Sequence, residues 1–167
     1  MTMKQSSRPA HVVTALALSM LGAHSIAQTP ITYKGLCQNI GTGPQEPLGD
    51  REGHAVSVSS FTCRVEGGPL DGGVLTGTTI YEWDKTNAVG LSGNGVVRKA
   101  GGTAVYQLGE FKNSLAMADG KVTGFLASGQ GTYKMATGSA ASLAGKTFSY
   151  VARPNGSSQF VIDVKVE

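Results

Sequence analysis

Glycine-centred breaks divide most of this chain into short segments that have the period of β-strands. The chain contains 24 glycines in 167 residues, with β-branched and aromatic runs between them. Almost no segment repeats its apolar residues at the spacing of an amphipathic helix, so the pattern predicts an all-β domain. The candidate strands are Ile31–Leu36, His54–Val65, Gly73–Trp83, Ala88–Lys99, Thr103–Leu108, Lys121–Ser128, Lys146–Arg153 and Gln159–Val166.

The connections between these segments favour antiparallel hairpins. Asp71-Gly72, Asp119-Gly120 and Asn155-Gly156 are dipeptides that accept positive φ in tight turns. The segment Asp84–Asn87 provides a fourth reversal. Successive hairpins imply a meander, and about eight strands are enough to close a barrel. We therefore predict a single small antiparallel β-barrel of about eight strands.

Two segments indicate how the strands face the core. In Gln159–Val166 every second residue is apolar, which predicts that one face is buried: Phe160, Ile162, Val164 and Val166. The segment His54–Val65 changes phase at Ser59-Ser60, and a β-bulge at that point would reconcile its two halves.

Composition excludes several other classes of protein. Charged residues make up only 15% of the chain and hydrophobic residues 40%, so a charge-rich disordered chain and a coiled coil are excluded. The length fits one domain.

The N-terminal segment Met1–Ala27 has the features of a secretory signal peptide. Lys4 and Arg8 precede the apolar stretch Val12–Leu21, and Ser25-Ile26-Ala27 forms a small-residue cleavage site. The apolar stretch is shorter than the roughly 20 residues of a membrane-spanning helix. We expect cleavage before Gln28, which leaves a barrel domain of residues 28–167 without a membrane anchor, secreted or periplasmic.

Cleavage also changes the charge of the chain. Removal of Lys4 and Arg8 lowers the basic residues from 14 to 12 against 11 acidic ones, so the formal net charge falls from +3 to +1. A nearly neutral exported chain is not expected to bind nucleic acid or anionic lipid. Of the three histidines only His54 remains.

The two cysteines, Cys37 and Cys63, are 26 residues apart. In an oxidising compartment an even pair predicts a disulfide. The alternative is a redox-active or metal-binding pair, but neither CxxC spacing nor neighbouring histidines support it. The disulfide would hold the root of the segment Gln38–Gly53, sixteen residues without periodicity. This segment is interpreted as an irregular surface loop or, alternatively, as a lid over the barrel mouth.

Common catalytic motifs are missing from the sequence. Gly145-Lys146-Thr147 lacks the glycine that a phosphate-binding loop needs five positions earlier, since position 140 is alanine. There is no G-x-S-x-G elbow, and a single histidine cannot form a multi-histidine zinc site. We therefore predict no metal site, and the residues leave the oligomeric state open, a homo-oligomer included.

The most distinctive stretch is Gly129–Ala140 (GQGTYKMATGSA). It resembles the dirigent-protein signature, in which G-x-G precedes an aromatic residue, a basic residue, an apolar-plus-alanine step and a further glycine. Similar segments occur in allene oxide cyclase-like barrels. The resemblance implies an eight-stranded barrel with an apolar lumen that steers small reactive molecules without a cofactor. Because the family's lumen acids and bases have no full set of counterparts here, it assigns no catalytic residue.

Candidate ligand-binding residues follow from residue type. Tyr81 and Trp83 lie two apart and share one strand face, Tyr106 and Tyr150 lie in other strands, and Arg98 ends a strand. Apolar cavities with a few polar groups are the usual small-molecule sites. The first hypothesis is a barrel that binds an apolar or aromatic small molecule in its lumen. The alternatives are a cyclase or isomerase in which Arg98 or a tyrosine stabilises developing charge, and a structural secreted protein with a filled barrel and an exposed apolar patch.

Overall fold

The computed structural model describes residues 30–43, 45–156 and 159–167. The predicted signal peptide, residues 1–27, lies outside the described residues. The all-β prediction is confirmed, and within the described ranges no helix is long and apolar enough to cross a membrane. The strands are β1 (Ile31–Thr42), β2 (Glu46–Pro47), β3 (His54–Glu66), β4 (Val74–Asp84), β5 (Asn87–Lys99), β6 (Gly102–Ala118), β7 (Lys121–Gly138), β8 (Thr147–Pro154) and β9 (Gln159–Val166).

The strands form a closed antiparallel barrel. From β3 to β9 each strand pairs with the next one along the chain, and β1 pairs with both β9 and β3. This second pairing of β1 closes the sheet into eight strands. The short strand β2 pairs only with the start of β3, where Glu46 lies opposite Val56 and Pro47 opposite Ala55. The predicted barrel is therefore confirmed, with one extra strand at its rim.

The predicted irregular segment 38–53 contains two strand pieces. Gln38–Thr42 continues β1, and Glu46–Pro47 forms β2. The register of β1 against β3 shifts between Asn39 and Gly41, so Ile40 is an extra residue. This bulge reverses the alternation of side chains, so residues 38–42 do not continue the period of Ile31–Leu36 in a single phase.

The same effect hides half of β6. Gly109 and Glu110 together lie opposite the single residue Gln130 of β7, so Leu108 and Phe111 face the same side although they are three residues apart. The predicted strand Thr103–Leu108 continues through this bulge to Ala118. Strand β7 likewise runs from Lys121 through most of the Gly129–Ala140 stretch.

The bulge predicted at Ser59-Ser60 was wrong. The register between β3 and β4 runs without a shift from His54 opposite Asp84 to Arg64 opposite Val74. The inward residues are Ala55, Ser57, Ser59, Phe61, Cys63 and Val65. The valine that suggested a phase change, Val58, faces outward and is 47% exposed. Inward serines rather than a bulge explain the irregular pattern.

The aromatic residues all belong to the barrel interior. The chain has five tyrosines, five phenylalanines and one tryptophan, and each is buried in the core or packs against it. The inward face predicted for β9 is confirmed, because Phe160, Ile162, Val164 and Val166 are buried. The side chains between them are half-buried or exposed.

The predicted disulfide is confirmed. Cys37 of β1 lies directly opposite Cys63 of β3, and their sulfurs are bonded. The bond therefore joins the two strands whose pairing closes the barrel. Both cysteines are buried.

The two ends of the barrel are built differently. At one end, called here the closed end, short 3-10 turns at Gly68–Leu70 and Ala141–Leu143 fold inward. Leu70, Leu143 and Tyr133 are fully buried there. At the other end, called here the open end, the β6–β7 hairpin extends beyond its neighbours: β5 pairs with β6 only to Ser114, and β8 pairs with β7 only from Ala127.

Candidate ligand cavity in the barrel

A cavity of about 210 Å³ lies inside the barrel, on the open-end side of the buried leucines. Its lining is mainly aromatic and aliphatic, and every residue of the lining is uncharged. The aromatic members are Tyr33, Phe61, Tyr81, Trp83, Tyr106, Phe125, Phe148, Tyr150 and Phe160. The polar members that are not aromatic are Asn39, Ser59, Thr79 and Asn113. An apolar enclosure with a few polar groups has the character of a small-molecule site.

Glycines in the strands leave room for these rings. A Cβ atom at Gly77 would stand 2.7 Å from the Phe61 ring and overlap the Tyr106 hydroxyl. A Cβ at Gly131 would overlap Phe148 and stand 2.8 Å from the carbonyl oxygen of Gln107. The missing side chain at Gly131 therefore leaves room for the Phe148 ring inside the barrel. Its backbone remains paired with β8, opposite Phe148. Gly138 alone of the stretch has positive φ, at 58°, where β7 ends.

The aromatic rings contact one another mainly edge to face, and some pairs are tilted. The centroid of Tyr81 lies 5.2 Å from that of Phe111 at an interplanar angle of 72°. The Tyr81 and Trp83 centroids are 6.0 Å apart. The Trp83 indole Nε1 donates a hydrogen bond of 2.8 Å to Ser57 Oγ. Edge-to-face packing and this hydrogen bond hold one wall of the cavity in place.

The tyrosine hydroxyls inside the barrel stay protonated. Burial raises the pKa of Tyr33 and Tyr106, and Tyr33 is hydrogen-bonded to Tyr133. Burial also raises the pKa of Tyr81 and Tyr150, with the neighbouring Tyr81 hydroxyl adding to the effect at Tyr150. These phenols are therefore neutral hydrogen-bonding groups at physiological pH.

One polar atom of the cavity wall has no partner. The side-chain oxygen Oδ1 of Asn113 is buried and accepts no hydrogen bond from any residue that the structure describes. On the two neighbouring strands Asn113 lies opposite Ala88 and Ala127, whose side chains cannot donate. Native proteins contain few buried acceptors of this kind, so each one needs an explanation.

The structure brings four of the five predicted site residues together. Tyr81, Trp83, Tyr106 and Tyr150 line the cavity. Arg98 does not, because it lies on the outer face of β5 and is exposed, while Val97 beside it points inward and is fully buried. Two adjacent valines precede Arg98, so alternation alone did not define which face it occupies.

Sequence reasoning missed several wall residues. Asn113 and Leu115 were missed because the predicted strand ended before the Gly109-Glu110 bulge. Phe125 lay in a predicted strand, but the sequence pattern did not indicate that it lines the cavity. Its ring makes an edge-to-face contact with Phe160, with the centroids 6.0 Å apart. Phe160 itself was recoverable, since its alternation predicted the inward face.

A second polar cluster lies outside the cavity, at the rim of the open end. His54 Nδ1 is 2.5 Å from Asp50 Oδ1, and His54 Nε2 is 2.8 Å from Glu82 Oε1. The hydrogen bond to Asp50, followed by that to Glu82, raises the pKa of His54. The same bond lowers the pKa of Asp50. A protonated imidazole can donate to both carboxylates at once, so this cluster pins the turn at Asp50 to β4.

The cluster is not arranged as a metal site. Across residues 30–43, 45–156 and 159–167, no group of three or more His, Cys, Asp or Glu side chains is placed to hold a metal ion. Both ring nitrogens of His54 are occupied by carboxylates.

The chain matches no protein-family model and no curated protein. The likeness of Gly129–Ala140 to the dirigent signature therefore stays a prediction. The geometry of the cavity is what bears on function.

Proposed function

We propose that this protein binds one small apolar or aromatic molecule inside its barrel, reached from the open end. The observation that carries the proposal is the uncharged, aromatic-lined cavity of about 210 Å³ above a fully packed closed end. A barrel of eight strands has an interior just wide enough to be filled by side chains or to hold one small ligand. Here the filling stops part of the way along the barrel.

The volume of the cavity sets the scale of the ligand. An engineered apolar cavity of about 150 Å³ is known to stay dry and bind benzene. A cavity of about 210 Å³ accommodates a single ring with a short substituent. The proposal is therefore limited to ligands of that size.

The lining favours binding over the cyclase or isomerase alternative. That alternative required Arg98 or a tyrosine to stabilise charge, but Arg98 is on the outer face. Their raised pKa values make the Tyr81 and Tyr106 phenols poorer proton donors than an ordinary tyrosine, so they offer hydrogen bonds but no charge. Charge that developed in this cavity would meet no charged side chain of the lining.

The structural alternative predicted a filled barrel and an exposed apolar patch. The outer surface does carry exposed aliphatic side chains, among them Met117, Val122 and Leu126 on the β6–β7 hairpin. The exterior therefore does not separate the two hypotheses, whereas the interior cavity favours binding.

Export belongs to the same proposal. The Met1–Ala27 pattern and the Cys37–Cys63 disulfide both fit an oxidising compartment. The intact mass of the exported protein tests this point. A chain that begins at Gln28 with no free thiol is expected, and an unprocessed chain would contradict export.

The test of binding uses the single tryptophan as a probe. Because Trp83 lines the cavity, propylbenzene and similar small aromatic compounds are expected to change its emission at saturable concentrations. Ala152→Phe should abolish the change, because Ala152 is buried and lines the cavity. Val151→Phe is the matched control, since Val151 is the adjacent residue on the outer face and is 40% exposed.

Tyr81→Ala locates the ligand within the cavity. Weakened binding in this variant would place the ligand against the Tyr81 and Trp83 wall. Undiminished binding would move it to another wall. If no compound of the panel binds, the filled structural barrel is supported instead.

A further inference from the structure

We infer that the ligand of this cavity is a neutral molecule with an apolar body and one hydrogen-bond donor, and that Asn113 Oδ1 accepts from that donor. The inference rests on the proposed function, because it names the class of molecule that the same cavity takes. It depends on three observations: the unpartnered oxygen of Asn113, the hydrogen bonds already made by Trp83 and Tyr33, and the absence of charge in the lining.

Asn113 is placed to serve a ligand rather than the fold. It lies in β6 beyond the bulge, between Ala88 of β5 and Ala127 of β7. Its oxygen has almost no accessible surface and no donor among the described residues, and its side chain lines the cavity, so the donor of a ligand reaches this oxygen through a rotation of the Asn113 amide. Leaving a buried acceptor unpaired is unfavourable, so a donor that enters the cavity gains an interaction that the protein does not make by itself.

Two other polar groups of the interior already have partners. The indole N–H of Trp83 is used by Ser57, and the hydroxyl of Tyr33 is used by Tyr133. Asn113 differs from these two groups because its side-chain oxygen has no partner among the described residues. The polar end of a ligand is expected to lie beside β6, with its apolar body against the aromatic rings.

The absence of charge in the lining excludes ionic ligands. A carboxylate or ammonium group would lose its hydration inside the barrel and would find no counter-ion in the wall. A neutral hydroxyl or N–H group costs far less to desolvate and can be matched by a single acceptor. The class is therefore small aryl or alkyl alcohols, and neutral compounds with one N–H group.

The experiment uses three compounds that share one skeleton. They are 2-phenylethanol, which carries a donor, propylbenzene, which has a methyl group in place of the hydroxyl, and phenylacetate, which is an anion. Binding of each is measured by calorimetry to the mature protein, its Asn113→Leu variant and its Asn94→Leu variant. Asn94 is a matched control, because it is an asparagine on the neighbouring strand β5 that is exposed on the outer face.

The expected result is selective. Asn113→Leu should weaken the binding of 2-phenylethanol by roughly tenfold, because one buried hydrogen bond is lost. Propylbenzene should bind this variant as well as the parent or better, and Asn94→Leu should change neither. Phenylacetate should not bind the parent. If Asn113→Leu does not fold, Asn113→Ala removes the same acceptor without adding volume.

The outcomes separate the inference from the proposed function. Equal effects of Asn113→Leu on 2-phenylethanol and propylbenzene, or no effect on either, would overturn the inference and leave the binding function standing. Tight binding of phenylacetate would also overturn it. Failure of all three compounds to bind the parent would overturn the proposed function together with the inference.

Discussion

The closed end and the open end of this barrel are made by the same strands, yet one is packed solid and the other contains a cavity. At the closed end two short turns insert Leu70 and Leu143, and both are fully buried. At the open end no such turn enters among the described residues, and the interior is enclosed by large aromatic rings. The packing of the closed end therefore depends on the two inserted turns, whereas the cavity depends on large aromatic rings that support one another.

The largest expected effect on stability comes from a substitution at the closed end. Leu143→Ala should lower the free energy of unfolding by about 4 kcal/mol, since a fully buried leucine is removed and the surrounding strands cannot collapse. Leu115→Ala at the open end should cost only about 1 kcal/mol, because Leu115 is half-buried beside existing space. Chemical denaturation of both variants measures the difference. Equal losses would contradict the distinction between the two ends.

Loss of the disulfide affects the pairing of β1 with β3, which closes the barrel along its whole length. Cys37→Ser with Cys63→Ser should lower stability by roughly 3.5 kcal/mol, on the chain-entropy estimate for a closed loop of 26 residues. The physical reason is that β1 must find its place between β3 and β9 without a covalent link. Denaturation with and without reductant checks this, and the double variant should no longer respond to reductant. An unchanged midpoint would show that the hydrogen bonds between β1 and β3 are sufficient to keep the barrel closed.

Gly131→Val tests the rule that glycines make room for rings. A Cβ there would overlap Phe148 and approach the Gln107 carbonyl at 2.8 Å, so the variant should lose about 2 kcal/mol by overpacking. Gly120→Val provides a contrast at the open-end hairpin, because φ is 72° there but no atom lies near the new Cβ. Thermal melts compare the two. If Gly131→Val melts like the parent, the ring does not need that space.

The smallest effect concerns pH and is confined to the open-end rim. The pKa of His54 is raised, so its contribution to stability is full below about pH 6.5 and is lost as pH rises through the raised value. The pKa of Asp50 is lowered, so its contribution is present above about pH 3.8 and is lost as pH falls through the lowered value. His54→Gln should flatten the decline between neutral and mildly alkaline pH.

A pH series of denaturation midpoints measures this effect. The closed end gives the internal comparison, since Leu143→Ala should lower every midpoint without changing the slope against pH. A decline of the same slope in His54→Gln would show that other groups cause it.

Much of the architecture could be predicted because it depends on local patterns. Strict alternation in β9 identified its buried face, and Asp119-Gly120 marked a turn whose residues both have positive φ, at 50° and 72°. The disulfide was predicted from an even cysteine count together with the predicted signal peptide. Tyr81, Trp83, Tyr106 and Tyr150 were selected by residue type, and the structure shows that all four line the cavity.

The failures occurred where strands are not regular. The extra residue Ile40 in β1 and the pair Gly109-Glu110 in β6 reverse which residues face inward, so half of each strand was lost from the prediction. Asn113 lies beyond one such bulge and could not be identified as a wall residue. The Asp50, His54 and Glu82 cluster was also missed, because Glu82 is 28 residues away from His54 along the chain.

The sequence by itself determined that this protein is an all-β barrel with hairpin connections, a cysteine bridge and an aromatic interior, because periodicity, turn residues and cysteine pairing act over short distances. Only the tertiary structure decided where the barrel closes, which end is filled and which side chains face the cavity. Closure requires β1 to lie between β3 and β9, and bulges form where distant strands must match their registers. The position of Asn113 and the outward direction of Arg98 follow from that matching, and no local pattern specifies it.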